Sequence, residues 1–177
     1  MLKKLLPAFA FVVLLLLPAQ AEIGEDGLHK EDWFALTFRD VGEDIAAAAE
    51  QGKRLAIVFE QRGCIYCAKM HEELLSDPEV RDFIKVHFMV VQYNMFGDEE
   101  VTDLDGEVLT EKTAARKWGF VFTPTIAFLP EAAPEGKTVD DPEFQAKVID
   151  NLQRLVADNP DQIMKINGSY FKVDNGL

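Results

Sequence analysis

Residues 58–71 read VFEQRGCIYCAKMH and contain both cysteines of the chain, Cys64 and Cys67. An apolar run at residues 55–59 leads into them, and a helix-like pattern follows them. Two intervening residues let the sulfurs meet across the first turn of a helix, where unpaired N–H groups and the helix dipole favour an anion. The reactive thiolate is thereby stabilised at Cys64. This spacing at a strand–helix junction predicts a dithiol redox site.

The rest of the chain alternates helix-like and strand-like segments. Residues 22–31 are polar and predict a loose leader, and residues 33–38 predict a short strand or a packed lead-in. Apolar periodicity and the placement of Asp, Pro and Gly predict the other elements. These are helices at residues 40–51, 64–75, 77–84, 110–118 and 142–157, strands at 55–59, 86–93 and within 122–130, and hairpins at 101–109 and 163–173. This order predicts an α/β sandwich around a short central sheet.

Length and charge restrict the domain organisation and the partners. A chain of 177 residues favours one domain, which we assign to residues 22–177. Within it, residues 97–110 form a predicted insertion and residues 159–177 an atypical C-terminal segment. The net charge of −13 makes nucleic acid and anionic lipid poor partners.

The first 21 residues have the pattern of a secretory signal peptide. Lys3 and Lys4 precede an apolar run at residues 5–17, and small residues ending at Ala21 form a cleavage site. The competing interpretation is an uncleaved membrane anchor, but the apolar run is shorter than the roughly 20 residues that span a bilayer. We therefore predict cleavage after Ala21, export, and no stable membrane insertion afterwards. Cleavage removes both lysines and changes the net charge from −13 to −15.

Export affects the interpretation of the cysteine pair. In an oxidising compartment a lone pair of cysteines could form a structural disulfide. A bridge that closes so small a loop constrains the unfolded chain little and stabilises weakly. Redox chemistry explains such a bridge better than stability does.

A second motif, Thr-Pro-Thr at residues 123–125, leads into a predicted strand. With the Cys-x-x-Cys motif it resembles the thioredoxin-like superfamily, in which Cys64, Cys67 and Pro124 match three defining positions. Longer segments are similar to the SoxW group of exported bacterial thioredoxins, which are associated with sulfur-oxidation gene clusters. They read GCIYCAKMHEE at 63–73, VQYNMFGD at 91–98 and FTPTIAFLPE at 122–131.

The resemblance implies a fold and a role for each motif residue. The fold is a three-layer α/β sandwich with a mixed central sheet and helices on both faces. Cys64 is the attacking nucleophile, and Cys67 resolves the mixed disulfide. Pro124 is cis and brings the backbone of Thr123 beside the sulfurs, where it can pair with an extended substrate. No cofactor is implied beyond the redox-active Cys64–Cys67 disulfide.

Several positions depart from thioredoxin itself. Gly63 stands where thioredoxin has a tryptophan, and Val58 stands where thioredoxin has a buried acid. Glu60 lies two residues further on and is a candidate substitute for that acid, although a solvated glutamate near a strand end is the alternative. Tyr66, a second possible modulator, and Thr123 resemble the corresponding residues of DsbC-type disulfide isomerases. The isomerase alternative therefore stays open.

The charged residues near the cysteines indicate less about function than the two motifs do. Arg62 and Lys69 flank the motif and are expected to be exposed. His71 follows Cys67 by four residues and can share its helix face, so a Cys/Cys/His metal site is conceivable. Zinc requires a fourth ligand or an open position, and the local sequence offers none. We therefore predict no metal and a histidine on the helix surface.

The sequence thus favours a periplasmic thiol–disulfide oxidoreductase that reduces protein disulfides by dithiol exchange through its Cys-x-x-Cys site, and the SoxW resemblance implies sulfur-oxidation proteins as substrates. The alternatives are a Dsb-type isomerase or oxidase, and a non-enzymatic thioredoxin-fold binding module. A reductase in an oxidising space requires electrons, which predicts a membrane donor of the DsbD or CcdA type. We expect a monomer. The direction of electron flow depends on reduction potentials, which the sequence does not contain.

Overall fold

The structure, a computed structural model, describes residues 22–133 and 135–161. Its elements in chain order are β1 (Glu22–Ile23), β2 (His29–Lys30), α1 (Val41–Glu50), β3 (Arg54–Glu60), α2 (Ile65–Lys69), a π-helical segment (Met70–Leu75), α3 (Pro78–His87), β4 (Phe88–Asn94), β5 (Glu100–Thr102), β6 (Val108–Thr110), α4 (Glu111–Lys117), β7 (Thr125–Phe128) and α5 (Pro142–Asp158).

The central sheet contains three strands in the order β4–β3–β7. β3 pairs parallel with β4 and antiparallel with β7, so the sheet is mixed. Six of the seven residues of β3 are buried, because a continuous apolar run suits a strand that is covered on both faces. The predicted central strand at residues 55–59 is confirmed.

The two faces of β3 enter two apolar clusters. Leu55, Ile57 and Phe59 pack against α1 and α4, together with side chains of β4. Ala56 and Val58 point the other way and pack against the π-helical segment and α3. α5 contributes to both clusters. Alternation along one strand thus separates two helix layers, and the predicted thioredoxin-like α/β sandwich is confirmed.

The longer helices begin where short polar side chains can accept backbone N–H groups. The capping residues of α1, α3, α4 and α5 are Asp40, Asp77, Thr110 and Asp141. Such a cap contributes about 1 kcal/mol. α4 is followed by Gly119 with φ 79°, a left-handed conformation that favours glycine. The helix starts predicted from Asp77 and Thr110 are confirmed, whereas α3 continues to His87, past the predicted strand start at residue 86.

The helix that follows Cys64 is not uniform. It is α-helical only through Lys69 and continues as a π-helix in which the Ser76 N–H donates to the carbonyl of His71 at 3.0 Å. The predicted α-helix at residues 64–75 is therefore wrong in its second half. Ile65, in the first turn of this helix, is 69% exposed. π-helical turns occur frequently at functional sites.

The predicted loose leader is ordered, which corrects the sequence interpretation. β1 and β2 form an antiparallel hairpin, and Leu28 is buried. The turn places Gly27 at φ 78°, where a side chain would be strained and would also meet Arg62. The Arg62 guanidinium donates to the carbonyl of Asp26 at 3.2 Å, so the hairpin is attached to the loop that precedes Cys64.

The remaining predicted segments lie partly within and partly outside the residues that the structure describes. Residues 33–38 form no strand, and the predicted lead-in is packed only in part: the Ala35 N–H donates to the Val90 carbonyl at 2.7 Å, whereas Leu36 and Phe38 are exposed. The predicted insertion contains the β5–β6 hairpin. The signal peptide and the C-terminal hairpin at residues 163–173 lie outside the described residues. None of the helices described is both long and apolar enough to cross a bilayer.

Asp44, in the first turn of α1, provides a stability test. Burial raises the pKa of Asp44 to about 6, although the Thr37 hydroxyl donates to its carboxylate at 2.9 Å. Because the folded pKa exceeds the unfolded one, this stability contribution is complete below about pH 4 and is lost as the pH rises through about 6. Asp44→Asn should therefore raise the free energy of unfolding at pH 8 by about 2 kcal/mol and change it little at pH 3.5.

Urea unfolding at the two pH values measures this difference. Glu50→Gln, at the exposed end of the same helix, is the matched control and should behave like the wild type. An equal effect of Asp44→Asn at both pH values would contradict the assigned cause.

Candidate redox site

The two cysteines form a disulfide at the start of α2. Their Cα atoms lie 5.2 Å apart, within the range that a disulfide spans. Cys64 is the N-cap of α2 in an extended conformation, and the backbone N–H of Cys67 donates to its Sγ at 3.0 Å. An N–H group that points at Sγ stabilises negative charge there once the bond is reduced.

The two sulfurs differ in accessibility. Cys64 is 7% exposed and Cys67 is fully buried. An incoming thiolate or disulfide therefore approaches from the side of Cys64. The preceding residue, Gly63, has φ 72°, and a Cβ built on it would meet no atom within 4 Å. Glycine is thus required there by backbone conformation rather than by space.

The tertiary fold brings the second motif to the disulfide. The Thr123–Pro124 peptide bond is cis, as the resemblance implied. The Thr123 hydroxyl donates to Cys64 Sγ at 3.3 Å. Thr125 starts β7 opposite Phe59 of β3, so the beginning of one strand lies beside the end of the other. Thr123 and Cys64 are 59 positions apart in the sequence, and the pairing of β7 with β3 brings them into contact.

Exposed apolar side chains flank the motifs along the chain. Ile65 and Tyr66, between the cysteines, are 69% and 64% exposed. Val121 and Phe122, immediately before Thr123, are 78% and 71% exposed. Exposed apolar groups that cluster at a reactive site indicate contact with another molecule. Tyr66, a predicted modulator, is thus part of an apolar rim around the disulfide.

Glu60 is not the solvated side chain that was the alternative in the sequence. It is fully buried at the end of β3. Its Oε1 lies 2.8 Å from His71 Nε2 and accepts from Gln92 Nε2 at 2.9 Å. A buried carboxylate requires such partners, because desolvation of an unpaired charge is costly.

His71 is 2% exposed, so the prediction of a surface histidine is wrong. Its ring lies between two carboxylates, with Nε2 against Glu60 and Nδ1 2.8 Å from Glu31. Burial lowers the pKa of His71, but the hydrogen bonds to Glu60 and Glu31 outweigh it and raise that pKa above its usual value. The sequence prediction failed because Glu31 reaches the site from the distant N-terminal hairpin.

His29 completes a group that sequence reasoning missed. Its ring stacks on His71 with centroids 5.1 Å apart, and its Nδ1 lies 3.7 Å from Glu60 Oε2. We refer to His29, Glu31, Glu60 and His71 as the His–Glu cluster. The available sequence signal was the spacing of His29 and Glu31, because residues two apart in an extended segment lie on the same face.

The flanking cations Arg62 and Lys69 are both exposed. Arg62 is exposed and bonds to the N-terminal hairpin, as described above. Lys69 is exposed at the end of α2. Both were expected to be exposed, and the sulfur contacts come instead from a backbone N–H and a hydroxyl.

The more accessible sulfur of Cys64 and the buried sulfur of Cys67 form a disulfide that a dithiol can open by exchange. On a mixed sheet, beside a cis-proline, this pair is a Cys-x-x-Cys disulfide site on a thioredoxin fold. The chain belongs to the thioredoxin-like domain family, whose model matches residues 41–143.

Other comparisons give weaker similarities. A thioredoxin from Thermus thermophilus is 24% identical with a TM-score of 0.44, and the match covers 66% of this chain and 83% of that one. A thioredoxin-fold protein from Helicobacter pylori has the same identity and TM-score over 78% and 89% of the two chains. The fold assignment rests on the family match and on the sheet topology.

A curated relative is similar over a short segment only. It is the trehalose monomycolate exporter MmpL3 of Mycobacterium tuberculosis, which is 56% identical over 32 residues in two strains. The match covers 18% of this chain and spans 3% of the exporter's length. A segment of that size carries no argument about function.

Proposed function

We propose that this protein is an exported, periplasmic dithiol reductase of the SoxW type, which reduces disulfides in other proteins. The observation that carries the proposal is the asymmetry of the disulfide. Cys64 is 7% exposed and receives two hydrogen bonds, whereas Cys67 is fully buried, so Cys64 is the more accessible sulfur. A pair with one attacking sulfur and one protected resolving sulfur suits exchange with a bulky partner.

The reaction requires no other cofactor. In the reduced protein, the Cys64 thiolate attacks a substrate disulfide, forms a mixed disulfide and releases one substrate thiolate. The Cys67 thiol loses its proton and attacks Cys64 Sγ, which releases the second substrate thiolate. Two electrons pass to the substrate, and the protein is left with the Cys64–Cys67 bond. Glu60 stays a predicted modulator of Cys67 deprotonation.

Substrate docking would use the rim of the site. The apolar side chains of Ile65, Tyr66 and Phe122 offer a surface for a partially unfolded chain. The backbone of Thr123, next to Cys64, can pair with an extended substrate segment. This docking mode requires no fixed sequence, which is consistent with a protein substrate rather than a small molecule.

The source of electrons and the physiological substrate are further parts of the proposal. Turnover requires re-reduction of the disulfide, for which a DsbD- or CcdA-type membrane donor is the proposed partner. The similarity of residues 63–73 to SoxW supports sulfur-oxidation proteins as substrates. We expect the protein to act as a monomer.

The reduction potential tests the direction of electron flow. Equilibration of the Cys64–Cys67 pair with glutathione should give a value near that of thioredoxin, about −270 mV, rather than that of DsbA, about −120 mV. Quantifying the oxidised fraction by alkylation and mass spectrometry gives the potential. A DsbA-like value would contradict the reductase and favour the oxidase alternative. Refolding of scrambled ribonuclease tests the isomerase alternative separately.

The Thr123 hydroxyl should support the Cys64 thiolate. Thr123→Val removes its hydrogen bond to Sγ and should raise the pKa of the reduced Cys64 thiol by about 1 unit. The pH dependence of iodoacetamide alkylation measures this pKa. Thr125→Val is the matched control because its hydroxyl donates to the Phe122 carbonyl instead. An unchanged alkylation profile in Thr123→Val would remove Thr123 from the proposed site.

A further inference from the structure

Apart from the predicted effect of Glu60 on Cys67 deprotonation, no step of the proposed exchange uses the His–Glu cluster. Among the described residues, His29, Glu60 and His71 each offer a ligand atom, and these atoms all lie within 4.8 Å of one another. Two of the buried atoms, His29 Nδ1 and Glu60 Oε2, have no hydrogen-bond partner in the described part of the chain. They face each other at 3.7 Å, which is too long for a hydrogen bond.

Burying these two polar atoms without hydrogen bonds lowers the stability of the folded state. Glu60 is fully buried and the His29 side chain is only 13% exposed, so water compensates neither atom well. Replacing one buried polar atom by an apolar one would avoid the cost. A ligand that both atoms contact at once would also remove it.

The geometry points to a divalent transition-metal site in which His29 Nδ1, His71 Nε2 and the Glu60 carboxylate hold Zn²⁺ or a similar ion. Zinc binds imidazole nitrogen and carboxylate oxygen at about 2.0–2.2 Å, so tetrahedral ligand atoms lie about 3.3 Å apart. The separations of 2.8 Å from His71 Nε2 to Glu60 Oε1 and of 3.7 Å from His29 Nδ1 to Glu60 Oε2 bracket that value. A metal ion would replace the proton now shared between His71 and Glu60.

The surroundings fit this ligand set. A histidine that binds a metal usually donates its other ring N–H to a carboxylate, which fixes the ring. His71 Nδ1 has such a partner in Glu31 at 2.8 Å. Gln92 donates to the Glu60 carboxylate and to the His29 carbonyl, so it holds both ligands. Two imidazoles among three ligands favour zinc, copper or nickel over magnesium and calcium.

The site differs from the one considered from the sequence. That hypothesis combined His71 with both cysteines and lacked a fourth ligand, whereas here the cysteines take no part. The ligands come from β2, from the end of β3 and from the π-helical segment. A bound ion would therefore connect the N-terminal hairpin to the helix that carries Cys67. Three protein ligands leave a fourth position of a tetrahedral ion for water or another ligand.

The test uses the purified protein with its disulfide intact, so that no thiol can bind metal. Titration with Zn²⁺ by calorimetry should show one ion per chain, and saturating Zn²⁺ should raise Tm by about 5 °C. Co²⁺ should give the visible absorption of a four-coordinate site. His29→Phe retains a stacked ring and removes the ligand nitrogen, and it should weaken Zn²⁺ binding by at least about 100-fold.

The control is His87→Gln, which changes the third histidine of the chain and lies outside the cluster. It should bind Zn²⁺ like the wild type. Binding that requires reduction of the disulfide would assign the metal to the thiols and overturn the proposal. Binding that survives His29→Phe, or an absence of stoichiometric binding in the oxidised wild type, would also overturn it. The potential measurement proposed above is independent of every one of these outcomes.

Discussion

Cys64→Ser is expected to reduce the rate of insulin disulfide reduction to that of the uncatalysed reaction, a loss of at least about 100-fold. Serine cannot attack a disulfide at neutral pH, and Cys67 cannot replace Cys64 because it is fully buried. The turbidity of precipitating insulin chains in the presence of dithiothreitol measures the rate. Activity at the wild-type level would refute the assigned nucleophile.

Cys67→Ala provides the complementary result. This variant retains the accessible thiol and lacks the resolving one, so it should accumulate mixed disulfides that non-reducing electrophoresis detects. Mass spectrometry of those adducts from periplasmic extract would test the DsbD- or CcdA-type donor. A non-enzymatic binding module would instead retain partner binding in the double Cys→Ala variant and accumulate no adduct.

Folding must be intact for either result to be interpretable. The disulfide closes a loop of only a few residues, for which chain entropy predicts a contribution of about 2 kcal/mol. Both variants should therefore remain folded, and far-UV circular dichroism with a thermal scan checks this. A loss of activity in a variant that remains folded supports Cys64 as the nucleophile. A loss of activity in a variant that has unfolded does not.

Glu60→Leu should lower the free energy of unfolding by about 3 kcal/mol. The substitution removes one carboxylate from the buried His71 ring and one of the two acceptors of the Gln92 amide, which keeps the His29 carbonyl. The remaining partner, Glu31, limits the loss because it still accepts from the other ring nitrogen. Urea denaturation of the oxidised protein in the presence of EDTA measures the change without any contribution from metal.

Two further variants distinguish a lost pair from lost packing. The double variant Glu60→Leu/His71→Leu removes both members of the pair and should lose less free energy of unfolding than the sum of the single variants, because neither member is left without the other. Glu72→Gln, exposed on the same π-helical segment, should stay within about 0.5 kcal/mol of the wild type. Strict additivity of the two single changes would show that Glu60 and His71 are not coupled.

Much of the fold could be predicted from the sequence because the signals are local. The continuous apolar run at residues 55–59 requires cover on both faces and so identifies the central strand. Asp77 and Thr110 satisfy backbone N–H groups of the next few residues, which fixes two helix starts without reference to the rest of the chain. The close spacing of Cys64 and Cys67 similarly permits a disulfide wherever the segment is helical.

The failures occur where a residue's environment comes from a distant part of the chain. His71 was expected on the surface because its own helix does not show that Glu31 and Glu60 converge on its ring. Residues 22–31 were expected to be loose because a polar composition does not show that Arg62 and Gln92 bind their backbone. Such contacts depend on how separate segments approach each other in space.

By itself, the sequence determined an α/β fold with a Cys-x-x-Cys redox pair, because apolar periodicity, helix capping and cysteine spacing are local properties, and the resemblance of its motifs implied the thioredoxin-like form of that fold. Only the tertiary structure decided that Thr123 lies 3.3 Å from Cys64 Sγ and that Glu60 and His71 are buried together with His29. The physical reason is that burial and hydrogen bonding across the sheet depend on the register of β3, β4 and β7 and on the docking of the N-terminal hairpin, and no single segment encodes either.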